Sequence, residues 1–179
     1  MSPQEVKLVK LKQLHTATLE LLAQKPKNNI TISELCRQAK VSRTYFYRRY
    51  QTIEDVLLQY QEMEMMIYLR KIPNTDRLSF SFLMTAYFGL VETMASETLL
   101  LHRVGLDDVI LGSFNTVHAY LNAHQKIRNR SSNRVKNRYF RTFMAGGVVS
   151  VAIEWLESGM PNTPAQMGQV MATLFAIED

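Results

Sequence analysis

The chain has 179 residues, of which 46% are hydrophobic, and carries a net charge of +5 with a single cysteine. One cysteine excludes an internal disulfide, and no apolar run reaches the roughly 18 residues that a transmembrane helix needs. The length allows one good core shared between a small module and a larger body. Met1-Ser-Pro-Gln-Glu5 carries no basic-then-apolar leader, so a cytoplasmic protein is expected.

In chain order, Ser2 with Glu5 forms a capping box and Pro3 takes the first helical position, opening a helix to about Ala23 with Val6, Val9, Leu14 and Leu21 on its apolar face. Pro26 to Asn29 is a loop. Thr31 with Glu34 opens the next helix, whose Ile32, Leu35, Cys36 and Ala39 recur at helical spacing. That position makes Cys36 a small core residue rather than a reactive thiol. Lys40-Val41-Ser42 breaks the pattern, with Val41 plugging the core and Ser42 capping a second short helix of about 42–49. Phe46 and Tyr50 share its inner face, leaving Arg43, Thr44, Tyr45, Arg48 and Arg49 to point outward. Two short helices joined by a tight turn are a helix-turn-helix, and these outward residue types suit DNA reading and phosphate gripping.

Thr52 with Asp55 caps a long helix ending before Pro73, followed by helices near 77–96, 98–103 and 107–124. A last pair is expected at about 134–157 and 164–177. Thr163-Pro164-Ala165-Gln166 opens the second of these, while Gly159 and Pro161 end the first. With no alternating strand pattern, the fold class is all-α: a three-helix head over 1–50 and a helical body over 51–179.

Charge divides the chain further. Residues 1–50 hold ten Lys and Arg against three acids, and residues 126–141 hold seven with no acid, so the remainder is acidic. The first cluster is the footprint of a surface that meets phosphates. The role of the second stays open among a solvated segment, an anion or acidic-partner site, and an auxiliary DNA contact.

The run Val41-Ser42-Arg43-Thr44-Tyr45-Phe46-Tyr47-Arg48-Arg49-Tyr50-Gln51-Thr52-Ile53-Glu54-Asp55-Val56-Leu57 resembles the signature of TetR-type transcriptional regulators. The match departs at Lys40, where the family usually has Gly, and at Ile53, where it usually has a phosphate-contacting Lys. A residue other than Gly is disfavoured at positive φ. The resemblance implies DNA contacts from Thr31, Lys40, Ser42, Arg43, Thr44, Tyr45, Tyr47, Arg48, Arg49 and Thr52. Arg43 and Tyr45 are the base-reading candidates, and double-stranded DNA carrying an inverted-repeat operator is the expected partner.

Phe143 to Gly159, followed by Thr-Pro-x-x-Met, more weakly resembles the C-terminal dimerisation region of the branch named after dihydroxyacetone kinase regulators. It implies a homodimer through Phe143, Gly146, Gly147, Val148, Val151, Trp155, Met167 and Met171, the two glycines allowing close helix approach. An effector, either a small molecule or a protein, is expected on the body. Met63, Ile67, Phe80, Met84, Tyr87, Phe88 and His118 are candidates to line a deformable pocket, although such stripes are more often plain core. His15, His102, His118 and His124 are scattered, and no phosphate loop or nucleophile elbow is present. An enzyme, a metal and a cofactor are therefore not expected. The expected activity is a dimeric repressor. A nonspecific nucleic-acid binder and an interaction protein with a degenerate helix-turn-helix are the alternatives.

Overall fold

A computed structural model of the protein describes residues 2–70, 78–123 and 137–175. Nine α-helices occur among them: α1 Pro3–Gln24, α2 Ile32–Gln38, α3 Arg43–Tyr47, α4 Ile53–Leu69, α5 Phe80–Thr93, α6 Ala95–Arg103, α7 Asp107–Ala123, α8 Arg138–Glu157 and α9 Pro164–Leu174. The fold is all-α, as expected. No helix among the described residues is long and apolar enough to cross a membrane.

Local chemistry sets most helix starts. Ser2, Thr52 and Thr163 form reciprocal capping boxes with Glu5, Asp55 and Gln166, each worth about 1 kcal/mol. At Thr31 only half the box forms: its hydroxyl accepts from the Glu34 amide, but the Glu34 carboxylate turns to Lys25 Nζ at 2.5 Å. That bond ties the end of α1 to α2. The expected break between the helices near 77–96 and 98–103 falls a few residues earlier, at Met94, whose φ of −106° and ψ of 16° separate α5 from α6. The recognition segment is also shorter than the expected 42–49. Arg48 caps α3 and Arg49 lies beyond it.

Two hydrophobic clusters form. The head cluster gathers Leu14, Leu35, Cys36, Val41, Phe46 and Tyr50 around the helix-turn-helix. The body cluster is larger and centres on Phe88, Leu101, Val148 and Met171, all fully buried. Helix α4 serves both, giving Ile53 and Val56 to the head and Leu57 and Met65 to the body. Of the expected α1 face, Leu14 and Leu21 are buried, whereas Val9 is 44% exposed. Inside the body α5 and α9 lie in close approach at Gly168. A Cβ there would meet the Ser81 carbonyl oxygen at 2.6 Å and Thr85 Oγ1 closer still.

Candidate nucleic-acid interface

The turn between α2 and α3 is a Schellman motif. The Val41 amide donates to the Cys36 carbonyl at 2.9 Å and the Lys40 amide to the Arg37 carbonyl at 3.2 Å, with Lys40 at φ 54°. Lys40 therefore adopts the left-handed conformation usually left to Gly, at a cost of about 1–2 kcal/mol. The side chain of Val41 is buried beside Cys36, and this packing holds the turn. The departure from the family pattern thus leaves the motif intact and adds an exposed cation beside α3.

Helix α3 is fixed from below by Phe46, fully buried, and from its start by Ser42, whose hydroxyl accepts from the Tyr45 amide at 3.2 Å. Arg43, Thr44, Tyr47, Arg48 and Arg49 are exposed, Tyr47 at 62%. Arg43 also donates to Ser33 Oγ at 3.2 Å, which steers its guanidinium across the start of α2. Thr31 and Thr52 are exposed at the starts of α2 and α4, their hydroxyl oxygens already accepting cap bonds. Their hydroxyl protons remain available for a neighbouring acceptor.

Tyr45 departs from its expected outward position. Its ring is half-buried against the head core, with Lys10 Nζ 4.2 Å and the Arg49 guanidinium carbon 5.0 Å from its centroid. The hydroxyl is buried and finds no hydrogen-bond partner among the described residues. Tyr45 is thus an aromatic seat for two cations. Lys10, on α1, was not a candidate in the sequence; the signal was a basic residue one position before a buried leucine, too common to single out.

The basic count of the head includes two internal ties. Lys25 pairs with Glu34, and Lys27 Nζ lies 2.6 Å from Glu54 Oε1. Lys25 holds the Glu34 carboxyl below its ordinary range. Lys40, Arg43, Arg48 and Arg49 enter no ion pair with an acid among the described residues and carry the exposed positive charge of the helix-turn-helix. Cys36 is buried, and that burial pushes its thiol up. It is a core residue.

In the body, Phe80, Met84, Tyr87 and Phe88 of the expected pocket residues lie in the hydrophobic core. Phe88 meets Trp155 at 5.3 Å and Tyr87 meets Phe114 at 5.1 Å, ring edge to face. Phe80 packs on Phe175 and Met84 is buried in the same cluster. His118 stacks on Phe114, Met63 packs against the head cluster, and Ile67 is 39% exposed.

The expected dimer residues divide as well. Val148, Trp155, Met167 and Met171 are buried inside the chain, and Trp155 Nε1 donates to the Asn162 carbonyl at 2.9 Å. These four complete its own core and are not surface residues. Phe143 is 68% exposed, Gly146 has open space where a side chain would stand, and Gly147 and Val151 are half-buried. A groove of about 460 Å³ runs along α8 beside the α6–α7 turn; no sequence pattern marks it, because its walls come from three helices. Most of the basic run 126–141, from 126 to 136, lies outside the described residues, while Arg138 and Arg141 are exposed at the start of α8.

A capped, core-anchored helix presenting arginines beside a basic turn defines a helix-turn-helix DNA-binding protein. Residues 14–60 match the family described as bacterial regulatory proteins, tetR family, and residues 113–176 match the family described as transcriptional regulator C-terminal region. The chain belongs to the TetR family of DNA-binding transcriptional regulators. No curated protein matches the sequence.

Three solved structures share the fold at low identity. Lin0861 from Listeria innocua is 16% identical, with a TM-score of 0.75 over 97% of this chain and 93% of its own. The dihydroxyacetone kinase operon activator DhaS is 14% identical, with a TM-score of 0.54 over 94% and 95% of the two chains. The regulator FadR from Bacillus subtilis, in complex with stearoyl-CoA, is 14% identical, with a TM-score of 0.50 over 93% and 97%.

Proposed function

We propose that this protein is a cytoplasmic, non-catalytic repressor that binds an inverted-repeat operator as a homodimer and leaves it when an effector engages the body over 51–179. The observation that carries the reading is α3, held by Ser42 and Phe46 so that Arg43, Thr44, Tyr47, Arg48 and Arg49 stand exposed beside Lys40. Arg43 and Thr44, at the helix start, reach base edges in the major groove. Tyr47, Arg48, Arg49, Lys40 and the caps at Thr31, Ser42 and Thr52 hold phosphates.

Two such heads reach successive major grooves about 34 Å apart on one face of DNA. The dimer face is the exposed part of α8 and α9, where Phe143, Gly146 and Gly147 lie. An effector releases the operator only by binding more tightly to a head spacing that does not fit. Helix α4 is the element through which such a change passes, since its side chains belong to both cores.

Selection of bound duplexes from a random library tests the reading. A recovered inverted repeat with half-sites one helical turn apart supports it. Recovery of sequences with no shared motif, with equal affinity for competitor DNA, overturns it in favour of a nonspecific binder.

A further inference from the structure

Two cations share the Tyr45 ring, and they come from different helices. Lys10 of α1 sets its Nζ 4.2 Å from the ring centroid, and Arg49, just past α3, sets its guanidinium carbon 5.0 Å from it. An aromatic face attracts cations, more strongly where water is partly excluded, and Tyr45 is half-buried against the head core. Neither cation pairs with an acid among the described residues. The carboxylate nearest to Lys10 in the chain, that of Glu5, accepts instead from the Ser2 amide at 2.6 Å. Two like charges are thus gathered on one ring and left to attract an anion from outside.

Their place on the head says which anion. The Tyr50 amide donates to the Phe46 carbonyl at 2.9 Å, so helical winding runs past the end of α3. Tyr45 and Arg49, four residues apart, therefore share one flank. Arg43 and Tyr47 share the other, with Thr44 and Arg48 between the flanks and opposite the buried Phe46. A helix lying in the major groove has a phosphate strand along each flank. The Tyr45–Arg49 flank is the one that α1 adjoins, because Lys10 reaches its ring, so the strand on that side runs past both helices.

We propose that Lys10 of α1 is a DNA phosphate contact, seated by Tyr45 together with Arg49, so that the interface extends beyond the helix-turn-helix. Tyr45 is a positioning residue: its ring holds two long, rotatable side chains toward one strand and so reduces the entropy lost when they meet phosphates. This rests on the DNA-binding reading above and adds α1 and the aromatic seat to it.

Binding of the full chain to a fluorescent duplex of unrelated sequence, followed by anisotropy across about 50–200 mM salt, tests the proposal. Lys10→Gln should lower the salt slope by about one unit, as Arg49→Gln does. Lys12→Gln should leave the slope unchanged, since Lys12 is exposed on the same helix but about 200° round it from Lys10. Tyr45→Leu, which keeps apolar bulk without the ring, should weaken binding about three- to fivefold, and Tyr45→Phe should not. In a Lys10→Gln, Arg49→Gln background the Tyr45→Leu loss should shrink to below about twofold, because no cation is left to seat. An unchanged slope in Lys10→Gln beside a lowered one in Arg49→Gln overturns the α1 contact. Equal slope losses in Lys10→Gln and Lys12→Gln do the same, since they report net charge alone. A Tyr45→Leu loss that persists in full in the double background makes the ring a packing residue and overturns the seat. A wild type that binds no duplex, or binds it without salt dependence, overturns the DNA-binding reading itself.

Discussion

His15 Nε2 lies 3.0 Å from Glu97 Oε1, joining α1 of the head to α6 of the body across 82 residues of sequence. The same carboxylate oxygen accepts from Gln61 Nε2 of α4 at 3.2 Å, and the His15 ring stacks 3.6 Å from the Tyr60 centroid. Three helices therefore meet on one carboxylate beneath the DNA-binding head. His15 and Gln61 are both buried, so the cluster stands in a place where unpaired polar groups are costly.

Glu97→Ala should strand the His15 ring nitrogen and the Gln61 amide. The expected cost is about 2 kcal/mol in urea unfolding, with Glu97→Gln losing less because it keeps an acceptor oxygen. A loss below about 0.5 kcal/mol in Glu97→Ala, the range of an ordinary surface substitution, would show that the cluster is not a tie between head and body.

Tyr45→Phe removes a buried hydroxyl that has no partner among the described residues while keeping the ring under Lys10 and Arg49. The variant should be as stable as wild type or gain up to about 1 kcal/mol, and its operator preference should be unchanged. Altered preference at any base pair would restore Tyr45 as a base reader.

Gly168→Ala should destabilise the body by about 1–3 kcal/mol, because the added carbon meets the Ser81 carbonyl oxygen, a backbone atom that cannot rotate away. Gly146→Ala, in the interior of α8 and facing open space in the single chain, should stabilise the monomer by up to about 1 kcal/mol, Gly being the poorer helix former. Thermal melts of the two variants make the comparison. Equal losses would mean that α5 and α9 can separate at no cost.

Two histidines give stability opposite dependences on pH. Burial, with the Arg141 charge adding to it, holds the His118 imidazole below its ordinary value of 6.5. Its contribution is complete above that unfolded-state value and is lost as pH falls toward the lower folded value. At His102 the hydrogen bond to Asp107 raises the imidazole above the same value. Its contribution is complete below the unfolded value and is lost as pH rises through the folded one. Melting temperatures measured between about pH 5 and 8 should therefore decline less on the acid side in His118→Gln and more steeply in His102→Gln. Unchanged slopes in both would contradict the assignment.

Much of the head is legible in the chain because its signals are local. A cap residue, a helical repeat of apolar positions and a break at Lys40-Val41-Ser42 each act within a few residues, and the structure follows them to within two positions at α1, at α2 and at the start of α4. Tyr45 was misplaced because a five-residue helix gives too few turns to separate an outward ring from one that leans on α1. The body is less legible. Val148, Trp155, Met167 and Met171 present the same apolar face whether they pack on their own chain or on another, and only tertiary contact decides. Gly168, the glycine of the close α5–α9 approach, is one of several small residues in the helix, and nothing in sequence marks Thr85 as its neighbour. The groove beside α8 is beyond sequence for the same reason.

The central claim is that α3 reads DNA through Arg43 while Arg49 holds the backbone, and one binding experiment reaches it directly. Affinities of wild type, Arg43→Ala and Arg49→Ala are measured by fluorescence anisotropy on the selected operator, on all its single-base variants and on unrelated duplex, across a salt series. Arg43→Ala should cost about 1–3 kcal/mol on the operator and relax preference at one base pair in each half-site. Arg49→Ala should weaken operator and unrelated duplex alike and lower the salt slope by about one unit. Preference unchanged at every operator position in Arg43→Ala would contradict the account.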